Sequence, residues 1–169
     1  MLSSRPSKLV RISFLSLIFI ALTAGCQTRT SPIPESHAAM EADIQEAVFR
    51  FMFDHSNGTA REIGDFFFLQ LPDAKDPSPD FMTRFDGYSP AVAPSSAATA
   101  SPWTGVSHKI RGGKGYLFEI QALRWVDDKT VEVDVRFYED GRSASGSTYR
   151  LESKKGKWAV ADTAVHWIS

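Results

Sequence analysis

Val131, Val133, Val135 and Phe137 alternate with Glu132, Asp134, Arg136 and Tyr138. Period-two alternation of this kind sends one set of side chains to a core and the other to solvent, and it cannot be satisfied by a helix. Similar runs flank it. Tyr116 to Val126 precedes it across Asp127-Asp128. Ser145 to Ser153 follows across the turn signal Asp140-Gly141, and Trp158 to Ile168 follows across Gly156. The spacing predicts a four-stranded antiparallel meander over the last third of the chain, with Val133 deep inside and Thr130, at a strand start, tolerant of change.

A meander with one apolar face needs a cover. Residues 38–54 supply it. Ile44, Ala47, Val48, Phe51 and Met52 fall at three-and-four spacing, and Glu41, Asp43, Gln45, Glu46 and Arg50 fill the remainder. His55-Ser56-Asn57-Gly58 reads as the stop. Phe66 to Leu71 reads as a strand buried on much of both faces. Asp76 to Asp80 opens a short helix carrying Phe81, Met82 and Phe85. Residues 91–102, rich in alanine, serine and proline, read as loop or thin edge strand. Lys109 to Gly115 reads as a basic, glycine-rich turn. The expected fold is therefore α+β: an N-terminal helix packed on a curved antiparallel sheet.

The other end of the chain is an address. Arg5, Lys8 and Arg11 form a basic head, followed by an uncharged apolar stretch from Ile12 to Leu22 and then Thr23-Ala24-Gly25-Cys26. This is the layout of a secretory signal, too short for a transmembrane span. Cys26 is the single cysteine of 169 residues, so no disulfide can form within one chain. The boundaries expected are a signal over 1–25, a proline-bearing tether over 26–37 and one domain over 38–169. Past the leader, 16 of the 19 Lys plus Arg remain against 20 Asp plus Glu, a formal charge of −4. Such a balance argues against nucleic acid as a partner and against attraction to anionic lipid by charge.

Leu22-Thr23-Ala24-Gly25-Cys26 resembles the lipobox of bacterial lipoproteins. The resemblance covers residues 1–26. It implies a diacylglyceryl group on the Cys26 thiol, cleavage before Cys26, and acylation (palmitate or a similar chain) of the new amino group. Several acyl chains suffice for stable anchoring where one is marginal. Gln27, where an aspartate would favour inner-membrane retention, points to the periplasmic face of the outer membrane in a two-membrane host, and to a cell-surface membrane anchor otherwise. The order of elements over 38–169 resembles the NTF2-like or cystatin-like α+β roll. The stretch 138–146, with Gly156-Lys157-Trp158 and the terminal His166-Trp167-Ile168-Ser169, is similar to uncharacterised bacterial proteins. NTF2-like relatives range from isomerases and dehydratases to noncatalytic binding modules.

Motifs for catalysis are sparse. Gly141-Arg142-Ser143-Ala144-Ser145 lacks the final glycine of a nucleophile elbow and lies in a hairpin. Gly112-Gly113-Lys114-Gly115 lacks the phosphate-loop pattern, leaving an anion nest with Lys109 and Arg111 or a solvated turn. His37, His55, His108 and His166 have no metal-site spacing, so no metal or cofactor is expected. If the roll is a small enzyme (isomerase, dehydratase or hydrolase), Asp134, Tyr138 and His166 are its acid, donor and partner, with the carboxyl raised by burial. The preferred expectation is a noncatalytic binding module in the cell envelope, meeting an envelope protein or a small apolar ligand through Trp103, Trp125 or Trp167. A homodimer is compatible with the same exposed aromatics.

Overall fold

The computed structural model describes residues 35–55 and 63–169, which belong to a compact unit, Ile33–Ser169. The lipobox, Cys26 and most of the tether lie outside the described residues, as do Ser56, Asn57 and Gly58 of the expected helix stop. The first helix, α1 (Glu35–His55), begins three residues before the expected start. It takes His37 with it.

The apolar face of α1 is rotated slightly from the three-and-four reading. Ile44, Val48, Phe49, Met52 and Phe53 are buried, while Ala47 and Phe51 are only half-buried. Adjacent pairs at 48/49 and 52/53 make the stripe wider than a narrow seam. Gln45, assigned to the solvent face, is buried and donates to Glu41.

β1 (Phe66–Gln70) follows. Phe67 and Leu69 join the main core, and Phe68 is equally buried on the opposite face. α2 (Pro79–Met82) is opened by Pro79 and capped by Ser78, whose Oγ accepts from the Phe81 amide at 3.2 Å. With the 3-10 turn Thr83–Phe85 it buries Phe81 and Phe85 against Phe49 and Phe53. Arg84 fixes this unit to α1 through Asp43 at 2.8 Å and Glu46 at 2.6 Å.

The rest is sheet. β2 (Ala91–Pro94) leads through a 3-10 turn, Ser95–Ala97, to β3 (Ala98–Ser101) and β4 (Gly105–His108). Then come β5 (Gly112–Asp127), β6 (Thr130–Asp140), β7 (Ser143–Lys154) and β8 (Lys157–Ile168). The last four form the expected antiparallel meander, each paired with the next. Val131, Val133, Val135 and Phe137 all point into the core. Thr130 does not behave as a tolerant strand start: it is buried.

The sheet is not wholly antiparallel. β1 runs parallel to β5 on one side and to β2 on the other, giving the main order β2-β1-β5-β6-β7-β8. The stretch between β1 and β2 crosses over through α2 instead of turning back, and a crossover leaves its strands parallel. β4 takes over as a neighbour of β5 at Gly112 to Gly115, and β3 pairs with β4. There His108 meets the rings of Phe66 and Phe68, and Val106 is buried beside them. This second apolar patch explains why β1 is buried on both faces. The sheet stays unclosed, and α1 covers its inner face alongside β8.

Candidate functional site

The expected enzyme residues lie on the outer face of the meander. Asp134 on β6 is opposite Thr148 on β7, and Arg124 comes from β5. The Arg124 guanidinium donates to both Asp134 oxygens, one through Nη2 at 2.8 Å. Thr148 Oγ1 is 2.7 Å from Asp134 Oδ1 and 2.7 Å from His166 Nε2. A hydroxyl carries one hydrogen. With that hydrogen on Asp134, Thr148 accepts from a His166 Nε2–H. The Arg124 hydrogen bonds, with help from Thr148, hold the Asp134 carboxyl down at about 2.

That is the reverse of the raised value a general base needs. His166 is exposed, and the face is a polar lattice in which Arg124 and Arg150 also approach Glu132. Tyr138 lies two alternation steps along β6 from Asp134, opposite Ala144 and Leu117. The structure therefore brings Asp134 and His166 together through Thr148, and leaves Tyr138 apart.

The buried acid of this sheet is Glu119, which sequence reasoning did not single out. Burial pushes its carboxyl up, offset by Arg136 at 3.7 Å and by a 3.1 Å hydrogen bond from Gln70. Its signal was a lone charge in the apolar run from Tyr116 to Ala122.

The remaining candidates have local roles. His37 stacks on Trp125 at 3.7 Å between centroids and reaches Asp128 at 3.3 Å. Trp125 in turn packs edge-on against Trp158, so it is a cover for the core beneath the start of α1. His55 Nδ1 lies 2.9 Å from the Phe51 carbonyl. His108 Nδ1 accepts from the amides of Ile110 and Arg111, closing the β4–β5 turn. Ser143 donates to Glu139 at 2.8 Å. Lys109 binds the Ser96 carbonyl, Lys114 pairs with Glu139, and the Lys114 amide donates to Asp65. The basic turn thus spends two of its cations and an amide inside the fold. Among the described residues, no group of three His, Cys, Asp or Glu side chains is placed to hold a metal ion.

Trp103 differs. It is 92% exposed, at the turn between β3 and β4. The turn is built, not slack. The amides of Trp103 and Thr104 both donate to Ser101 Oγ, at 3.2 and 3.4 Å. The Pro102 carbonyl accepts from the Gly141 amide at 3.2 Å, tying the turn to the β6–β7 hairpin. A methyl group at 141 would sit 2.8 Å from that carbonyl oxygen, so glycine permits the approach.

Trp103 and Asp140 line two open clefts. One, of about 370 Å³, also takes in Gly141 and Arg142; the other, of about 610 Å³, takes in Ser107, Lys114 and Glu139.

No family model, curated protein or solved structure matches this chain.

What the site can do rests on its own geometry. An exposed indole on a turn whose backbone is fixed by hydrogen bonds is a ready contact surface. Trp167 is the second exposed indole. It lies against Gly146, with the Arg136 guanidinium 5.8 Å from its ring centroid, and is 43% exposed. Among the described residues no helix is long and apolar enough to cross a membrane.

Proposed function

We propose that this protein is a lipid-anchored envelope protein whose folded domain is a noncatalytic binding module. The address rests on the leader and the lipobox ending at Cys26. The binding role rests on one observation: Trp103 is almost fully exposed on a turn fixed by Ser101 and Gly141. A turn already fixed loses little backbone freedom on binding, and an indole offers large contact area for few rotatable bonds. In a host with two membranes the placement is the periplasmic face of the outer membrane.

An enzymatic reading on Asp134, Tyr138 and His166 has less support. Asp134 is held ionised by Arg124, and Tyr138 lies apart from the Asp134–Thr148–His166 contact, opposite Leu117 and Ala144.

Two measurements test the proposal. Mass spectrometry of the membrane-extracted protein should show loss of residues 1–25 and added acyl mass on Cys26, and C26S should accumulate as the unmodified precursor. Affinity capture from membranes should then retain a partner with the parent protein and lose it with W103A. An acylated C26S product would sink the anchor. Equal capture by parent and W103A would remove Trp103 as the contact.

A further inference from the structure

The ligand class can be read from what surrounds the indole. We infer that the two clefts meeting at Trp103 bind a neutral saccharide, with a sugar ring stacked on the indole and its hydroxyls met by the cleft walls; this rests on the binding-module reading above. Three observations carry it.

First, apart from Pro102 and the buried Val106, the indole stands among glycines and polar groups. Asp140 and Arg142 stand on one side, and Ser107, Lys114 and Glu139 on the other. A protein hot spot sits in a well-packed pocket from which water is excluded, and these clefts are open. The other exposed large apolar side chains, Ile63, Ile110, Val126, Val165, Trp167 and Ile168, line neither cleft. A pyranose has the complementary pattern: one face of C–H groups and an edge of hydroxyls. An indole supplies an apolar body of matching size.

Second, the lining is electrically balanced. Two cations, Lys114 and Arg142, face two carboxylates, Glu139 and Asp140. Lys114 and Glu139 are already paired at 2.6 Å, and Asp140 accepts from the Arg142 amide at 2.7 Å. Such a lining has no net charge to offer a phosphate, a nucleic acid or a strongly cationic peptide. Paired carboxylates and ammonium groups do retain free lone pairs and N–H groups for hydroxyls.

Third, Trp103 and Asp140 belong to both clefts. A ligand crossing the indole can place successive units on either side. That suits a linear oligosaccharide better than a compact metabolite held in one enclosed pocket.

The test uses the membrane-extracted protein in a detergent without a sugar headgroup, titrated calorimetrically with the neutral oligosaccharides cellohexaose, maltohexaose and hexa-N-acetylchitohexaose. At least one should bind with millimolar or tighter affinity. W103A should bind it at least about tenfold more weakly with an unchanged unfolding midpoint, and W103F should recover part of the loss, since a smaller ring still stacks. Among the indole N–H resonances, that of Trp103 should shift most on titration. No binding to any of the three sugars, or equal binding by W103A, overturns the inference. Protein capture that depends on Trp103 without sugar binding also overturns it, while leaving the binding-module reading intact. Sugar binding accompanied by release of new reducing ends would instead overturn the noncatalytic reading and keep the site.

Discussion

Arg124 on β5 grips both carboxylate oxygens of Asp134 on β6, and Thr148 and His166 extend that contact across β7 and β8. Four neighbouring strands are thereby laced by side chains on the face that the core does not use. The arrangement is a lattice of satisfied charges.

Its pH signature follows from the Asp134 carboxyl, held at about 2 against an ordinary 3.8. A depressed carboxylate stabilises the fold fully above its unfolded value, and that contribution fades as pH falls from about 4 through about 2. The group is one-third exposed, so solvent screens it. Asp134→Asn should cost about 1 kcal/mol at neutral pH. Urea midpoints of parent and variant should converge as the pH approaches 2. A gap that widens on acidification would contradict the assignment.

Val133 is fully buried in the centre of the meander. Val133→Asp should destabilise by about 3 kcal/mol or more, because it removes packing and strands a carboxylate in an apolar site. Chemical denaturation measures it, with the exposed Lys129→Ala change expected to fall within about 0.5 kcal/mol of the parent. Thr130 is unsuitable as a control because it, too, is buried.

The β7–β8 hairpin turns through Lys155 and Gly156 with φ of +54 and +76. Two positive φ values in a two-residue loop favour Asn-Gly, and lysine sits there under backbone strain. Lys155→Asn should raise stability by about 0.5 kcal/mol. A lower melting temperature for this variant would argue against the turn geometry.

Trp167 lies so close over Gly146 that a methyl group there would come within 2.3 Å of the indole Nε1. Gly146→Ala should therefore cost about 1–2 kcal/mol by forcing the ring away. Combined with Trp167→Ala, much of that cost should vanish, giving a coupling of at least about 0.5 kcal/mol in a double-mutant cycle. Strict additivity would mean that the ring does not rest there.

The meander was legible because period two is a local signal, repeated over three turns. The pairing of β1 was not. Phe66 lies beside Gly115 and Ala91, and nothing in Phe66-Phe67-Phe68 indicates a parallel partner far along the chain. The fate of the tryptophans was hidden by a bulge. Tyr116, Phe118 and Ile120 face the core, and a one-residue slip between Ile120 and Ala122 then turns Leu123 and Trp125 inward in their place. Counted in strict alternation, Trp125 belongs outside. For Trp103 the sequence showed an indole in a polar stretch, but not the cross-link from Pro102 to Gly141 that makes its turn a fixed platform. The charge lattice was half visible: alternation put Asp134 on the solvent face, while its partners came from three other strands.

The packing of α1 against β8 sets an order of events during folding. The 21-residue helix near the start of the chain finds part of its cover in the final strand, and β1 must wait for β5. Within residues 112–168, by contrast, each strand pairs with the next along the chain, and these four can zip together from local turns. A chain emerging amino-end first can seat Phe49 and Phe53 of α1 on Phe81 and Phe85, but must carry the part of the helix that packs on β8 uncovered until its last dozen residues arrive. That interval is where a holding chaperone would find its substrate, and where truncation at the carboxyl end would do the greatest harm.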